Sequence, residues 1–224
     1  MKNVVGIVSC DVVDSTSLDR AGILQLREDI YSDLFTDLSR VDSTLWGRVV
    51  RGDTIECFID NAQHSFRIAL LIKCWLMNWA ALNSSSANMK EYGMRYSIGI
   101  GSMRIVDREN DIMDGIAVYI AGRNLDYISE RNIPVAFGMH TNLLDIESLI
   151  KNNLLLLDGY FRNLTSRQCA VLYYKMLGLP EVEISHILNI SQAAVNLRSR
   201  NAGWRQIKDT LVTFENINYE DYVL

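Results

Sequence analysis

The sequence predicts an α+β fold in two parts: a ferredoxin-like antiparallel sheet with helices, then an all-α module. Three observations predict it. Up to residue 137, strand-like runs and helical periodicity alternate in the order β-α-β-β-α-β-(α)-β, the split βαβ arrangement. From Asn142 onward every periodic segment is helical. The composition, 49% hydrophobic and 22% charged in 224 residues with two prolines, is that of an ordinary globular chain and excludes a disordered one.

Each element has a local reason. Val4 to Val13 is rich in β-branched and small residues and reads as a buried strand. From Leu18 to Leu38 apolar residues recur at helical spacing (Ile23, Leu26, Ile30, Leu34). Leu45–Val50 and Thr54–Ile59 are two short strands around Arg51-Gly52-Asp53, a hairpin signal. Ala62 to Leu82 is a strongly apolar helix, ended by Asn83-Ser84-Ser85-Ser86. Arg95 to Val106 alternates and carries Gly99 and Gly101, which suits a central strand approached closely by another backbone. Asp111 to Gly115 reads as a loop, Ala117 to Ser129 as a helix, and Ile133 to Phe137 as a strand. Asn142 to Leu157 is helical, and Asp158-Gly159 marks a joint. The expected domains are therefore 1–158 and 159–224.

Bulk properties narrow the function classes. No apolar run approaches the ~18 residues of a membrane span. The N-terminal run has one Lys (Lys2) and meets Asp11 too soon for a signal peptide, so a cytoplasmic location is expected. Cys10, Cys57, Cys74 and Cys169 form no CxxC pair, which reads as small buried hydrophobes rather than a zinc site. Net charge is −5, yet residues 163–205 carry five basic and two acidic side chains. A modestly basic module in an acidic protein can bind DNA, with limited phosphate attraction and a need for two copies.

Asp11 and Asp53 stand at the ends of strands that a ferredoxin-like fold places side by side. Two such carboxylates suit Mg²⁺ or Mn²⁺ with a nucleotide, the arrangement used in two-metal phosphoryl chemistry. Solvated strand-end acids are the other reading. Asp14 reads as an assisting ligand or a helix-cap acid. Arg123, on a helix, equally suits a surface ion pair.

The motifs DVVDSTSL, RGDTIECF, RYSIGIGSM and GIAVYIAGRNLDYI, in that order over residues 4–138, resemble the signatures of class III nucleotidyl cyclases. The resemblance implies a cyclase-like fold, a homodimer, Asp11 and Asp53 as metal ligands, and Arg123 as the cation stabilising the transition state. Two positions depart from the pattern. Tyr119 stands where the family has Asn, and Val49 where it has the base-reading Lys. The whole layout is similar to the SatD family, which joins a degenerate cyclase-like domain, with an aromatic at the Asn position, to a C-terminal helix-turn-helix.

The stretch from Thr165 to Trp204 carries that last part. Thr165-Ser166-Arg167-Gln168 is a capping box, Gly178 ends the helix it starts, and Pro180 opens the next. Leu188-Asn189-Ile190 forms a turn, and Ser191 caps a third helix on which Val195 faces inward and whose later turns Trp204 and Ile207 pack. Gln192, Ala193, Asn196, Arg198, Ser199 and Arg200 are the expected exposed face. Gln and Asn can bond adenine, Arg guanine, and Ala a thymine methyl, while Ser191 and Ser199 reach phosphates. The segment resembles LuxR-type and sigma-factor region 4 helix-turn-helices. The acidic, aromatic tail FENINYEDYVL reads first as a solvated end, and otherwise as a segment that folds over the sheet or shields the basic face.

The expectation is a dimeric regulator of transcription that binds double-stranded DNA, with no membrane partner and a cyclase-like domain that senses a nucleotide or metal–nucleotide ligand. An active cyclase and a non-enzymatic interaction protein are the alternatives.

Overall fold

The computed structural model describes residues 4–50 and 52–224; Lys2 and Arg51 lie outside the described residues. The chain runs β1 (Val4–Val12), α1 (Arg20–Asp29), a π turn (Ile30–Leu34), α2 (Phe35–Leu38), β2 (Trp46–Val50), β3 (Thr54–Ile59), α3 (Ser65–Asn83) and α4 (Ala87–Tyr92). It continues as β4 (Met94–Asp107), β5 (Ile112–Gly115), α5 (Ile116–Arg131), β6 (Val135–Met139) and α6 (Leu144–Phe161). Last come α7 (Ser166–Met176), α8 (Glu181–Ile187), α9 (Gln192–Asn201) and α10 (Trp204–Glu215).

The first four strands lie in the order β2-β3-β1-β4, every pair antiparallel, which is the split βαβ topology. β6 adds to β4 in parallel, and β5 forms a hairpin with the far half of β4. The residues read as a loop at 111–115 therefore include a short strand. Its Met113 is buried against Val5 and Ile7, and that burial draws the segment into the sheet.

The pleat gives β1 two apolar faces. Val8, Cys10 and Val12 pack toward α1 and α3, and Val5 and Ile7 pack toward Ala117 and Ala121 of α5. All four cysteines are buried thiols. Gly99 is required where α5 crosses β4. A Cβ there would sit 2.4 Å from the Ala117 carbonyl oxygen and 2.7 Å from the Ala121 nitrogen.

α3 is the central helix, lying between the sheet and α7, where Cys169 meets Met77. With its short lead-in it spans Ala62–Asn83 and is long and apolar enough to cross a membrane; 72% of its most apolar window is buried against the rest of the chain.

The C-terminal helices share this core. Phe214 of α10 stacks on Phe66 of α3 at 3.7 Å, and Arg67 holds Glu215 and the Met176 carbonyl. The expected joint at Asp158-Gly159 is instead continuous helix. Asp158 is fully buried in α6, where Lys73 of α3 approaches its carboxylate at 2.9 Å and fixes it. The tail is not a solvated end either. Tyr219 and Val223 are buried, and the Leu224 amide donates to the His140 carbonyl at 2.9 Å. The third helix of the C-terminal stretch breaks before Trp204. Gly203 adopts φ 62°, where a Cβ would strike the Tyr160 hydroxyl, and α10 starts afresh.

Candidate functional site

Asp11 and Asp53 converge as their strands dictate. Asp11 pairs with Thr54 across β1 and β3, which sets Asp53 one residue beyond, and the Val12 amide donates to the Asp53 carbonyl at 3.3 Å. The Thr54 hydroxyl donates to Asp11 Oδ1 at 2.8 Å, and Ser129 of α5 to Asp11 Oδ2 at 3.1 Å. The buried Ser15 hydroxyl donates to Asp53 Oδ2 at 2.5 Å. These hydroxyls hold both carboxylates at the rim of a cleft of about 440 Å³.

The cleft is acidic. Asp14, Glu56 and Asp126 line it with Asp11 and Asp53, and Arg95 is the one cation among the described residues that line it. Arg95 stands directly across from Asp11 on β4. Glu56 is neutralised by Arg48 at 2.7 Å. Asp14 sits in a left-handed turn and its carboxylate accepts from the Ser86 hydroxyl, so it ties this turn to the start of α4 and does not cap the helix that follows it. An unscreened polyphosphate would be repelled here, whereas a divalent cation would be attracted and could bring one in. The donor set fits a hard cation through Asp11 and Asp53. The hydroxyls they accept from can rotate away, and no third acid completes a metal cluster among the described residues.

The other residues expected at this site lie elsewhere. Arg123 is exposed on the outer face of α5, its guanidinium 5.9 Å from the Tyr119 ring centre. Tyr119 is 56% exposed, and its hydroxyl bonds Asp114, whose carboxyl the neighbouring Arg104 above all holds below its ordinary range. Neither lines the cleft of its own chain. Val49 is buried and apolar, with only its backbone amide bonded, to the Tyr31 hydroxyl at 3.0 Å. Thr54, Ser15, Ser129 and Arg95 were missed by the sequence reading. Their signal is register: each becomes visible once β1, β3, β4 and α5 are aligned.

The second constellation is the face of α9. α7 begins with the full capping box of Thr165 and Gln168, and α8 starts after Pro180. Asn189 takes φ 50° after α8, a left-handed position that Asn tolerates, and the Ser191 hydroxyl caps the Ala194 amide at 3.2 Å. Val171, Ile184 and Val195 form a small core joining the three helices. Ser191, Gln192, Ala193, Asn196 and Arg200 are exposed, and Arg198 is half-buried. Ser199 departs from expectation. It is 4% exposed, and its hydroxyl donates to the Asn196 carbonyl at 3.0 Å, so it faces inward and cannot reach a phosphate.

No protein-family model and no curated protein matches the chain. Among solved structures it is similar to a bacterial light-regulated adenylyl cyclase (15% identity, 61% of this chain and 76% of that one, TM-score 0.43). It is also similar to an adenylate/guanylate cyclase/hydrolase from Silicibacter pomeroyi (20% identity, 57% and 71%, TM-score 0.41).

Proposed function

We propose that this chain is a homodimeric, cytoplasmic regulator of transcription. Its C-terminal helices bind double-stranded DNA, and its cyclase-like domain holds a nucleotide through a divalent cation. One observation carries the DNA reading. α9 is pinned by buried Val195 while Gln192, Ala193, Asn196 and Arg200 stand exposed on it, behind a tight turn capped by Ser191. Those side chains complement base edges in the major groove. Lys175 of α7 is paired with Glu181 of α8 at 2.8 Å, which leaves Arg167 of α7 and the cations of α9 and α10 to meet phosphates.

The N-terminal part of the proposal rests on the resemblance to class III cyclases and on Asp11 and Asp53 converging on one cleft. When bound, the cation would supply charge neutralisation for phosphates, and Thr54, Ser15 and Ser129 would orient the two carboxylates. Ligand binding rather than turnover is favoured, because Tyr119 stands where the cyclase signature has Asn and Val49 where it has the base-reading Lys. A second copy would also set two α9 helices for two half-sites. Exposed Tyr119 and Tyr127 on α5 offer the apolar surface for it.

The test is a titration of fluorescent, sheared genomic duplex with the intact protein at low and near-physiological salt, beside Arg198→Ala/Arg200→Ala. The expected result is a salt-dependent affinity that falls in the variant and a shallower salt slope. Equal binding by both proteins would sink the DNA reading.

A further inference from the structure

A second cleft, of about 250 Å³, opens at the same end of the sheet as the carboxylate cleft. Where the first is acidic, this one is cationic. Lys73, Arg95 and Arg162 line it, with the side chains of Asn88, Asn132 and Tyr92. Lys73 is buried, donates to the Tyr92 carbonyl at 2.8 Å, and faces Asp158 at 2.9 Å. That leaves one of its three protons without an acceptor among the described residues. Arg162 touches the other Asp158 oxygen through Nε at 3.3 Å, and its two Nη groups have no acceptor among the described residues. Its guanidinium lies 4.9 Å from the Tyr92 ring centre, a cation–π contact at the cleft wall. Arg95 gives one Nη to the Asn132 amide oxygen at 2.9 Å and keeps the rest of its fork.

Lys73 and Arg162 share the carboxylate of Asp158, and Arg95 borders the cavity without touching that carboxylate, so these four groups carry two net positive charges around a small polar cavity. Glu91 engages the Tyr92 hydroxyl and pushes its pKa up, and Asp11 of the acidic cleft lies across from Arg95 on its other side. Planar guanidinium forks with free edges match tetrahedral oxyanions in two-point contacts. At about 250 Å³ the cavity is smaller than the roughly 300–1,000 Å³ of sites that take drug-sized ligands, and its size suits a small anion.

We infer that this cleft is a binding site for a small, multiply charged oxyanion of the phosphate class, held by Lys73, Arg95 and Arg162. It is distinct from the carboxylate cleft and does not depend on the DNA or nucleotide readings. Arg95 borders both clefts and is their one shared charged side chain.

The test is calorimetric titration of the intact protein with sodium phosphate and with sodium pyrophosphate, at fixed ionic strength and with chelator present. Saturable binding of at least one anion is expected. It should weaken about tenfold or more in Arg162→Gln and in Arg95→Gln, the loss of one charge-assisted contact, and stay unchanged in the exposed control Arg104→Gln. Arg162→Lys, which keeps the charge and loses the fork, is expected to fall between. If Arg162→Gln does not fold, Arg95→Gln and Asn88→Ala carry the test. Absence of saturable heat for both anions, or equal weakening in Arg104→Gln, would overturn the proposal.

Discussion

Lys73 and Asp158 join α3 to α6 through an ion pair whose side chains are 1% and 0% exposed, 2.9 Å apart. Replacing Lys73 with Met removes one charge and leaves Asp158 buried, with only Arg162 beside it at 3.3 Å and partly in water. Breaking one side of such a pair costs about 3–5 kcal/mol. For a chain of this length, at about 2–4 °C per kcal/mol, Tm should fall by roughly 6–20 °C. Asp158→Leu should cost a similar amount by stranding Lys73. The double variant Lys73→Met/Asp158→Leu removes both charges and should recover most of the loss, because well-packed apolar replacements of buried pairs are often neutral. Thermal and urea unfolding of the four proteins close a double-mutant cycle. Single variants within about 1 kcal/mol of wild type, or a double variant that loses the sum of both, would refute the claim that this pair acts as a coupled buried unit.

Three further outcomes are expected. Gly99→Val should destabilise by about 1–3 kcal/mol or more, since its Cβ meets the Ala117 carbonyl oxygen at 2.4 Å; an unchanged Tm would contradict the close approach of α5. Asp42 is partly buried, which alone would raise its pKa, but hydrogen bonds from Thr44, Asn61 and His64 outweigh that and hold it below the ordinary 3.8. The stability it contributes is therefore complete above pH 3.8 and is lost as pH falls through the lower folded value. Asp42→Asn should lower the urea midpoint at neutral pH and flatten its decline in acid, and parallel pH curves would contradict this. Asp53→Ala should abolish Mn²⁺-dependent binding of a fluorescent nucleoside triphosphate; retained binding in Asp53→Ala would remove the cation site.

Much of this was legible in the sequence because it is local. The capping box at Thr165, the cap at Ser191 and the hairpin after Val50 are set by neighbouring residues, and all fall where the motifs place them. The side-by-side strands of Asp11 and Asp53 followed from element order alone. What escaped is non-local. Lys73 reads as one charge in an apolar helix until Asp158, far along the chain, is folded against it. The tail reads as acidic and aromatic and first as a solvated end, yet its Tyr219 and Val223 find a core built from other segments. Ser199 sits among exposed polar residues in sequence, yet it falls four residues after inward-facing Val195 and so shares its buried face. Arg123 follows a family motif, but which cleft a helix-borne side chain serves depends on assembly, which a single chain does not encode.

The most direct test of the central claim is sequencing of the genomic fragments that the intact protein enriches at near-physiological salt, compared with Gln192→Ala/Asn196→Ala. The account predicts a discrete two-fold site, with half-sites about one helical turn or a multiple apart, that the double variant no longer selects. Enrichment without a shared sequence, or the same site recovered by the variant, would contradict it.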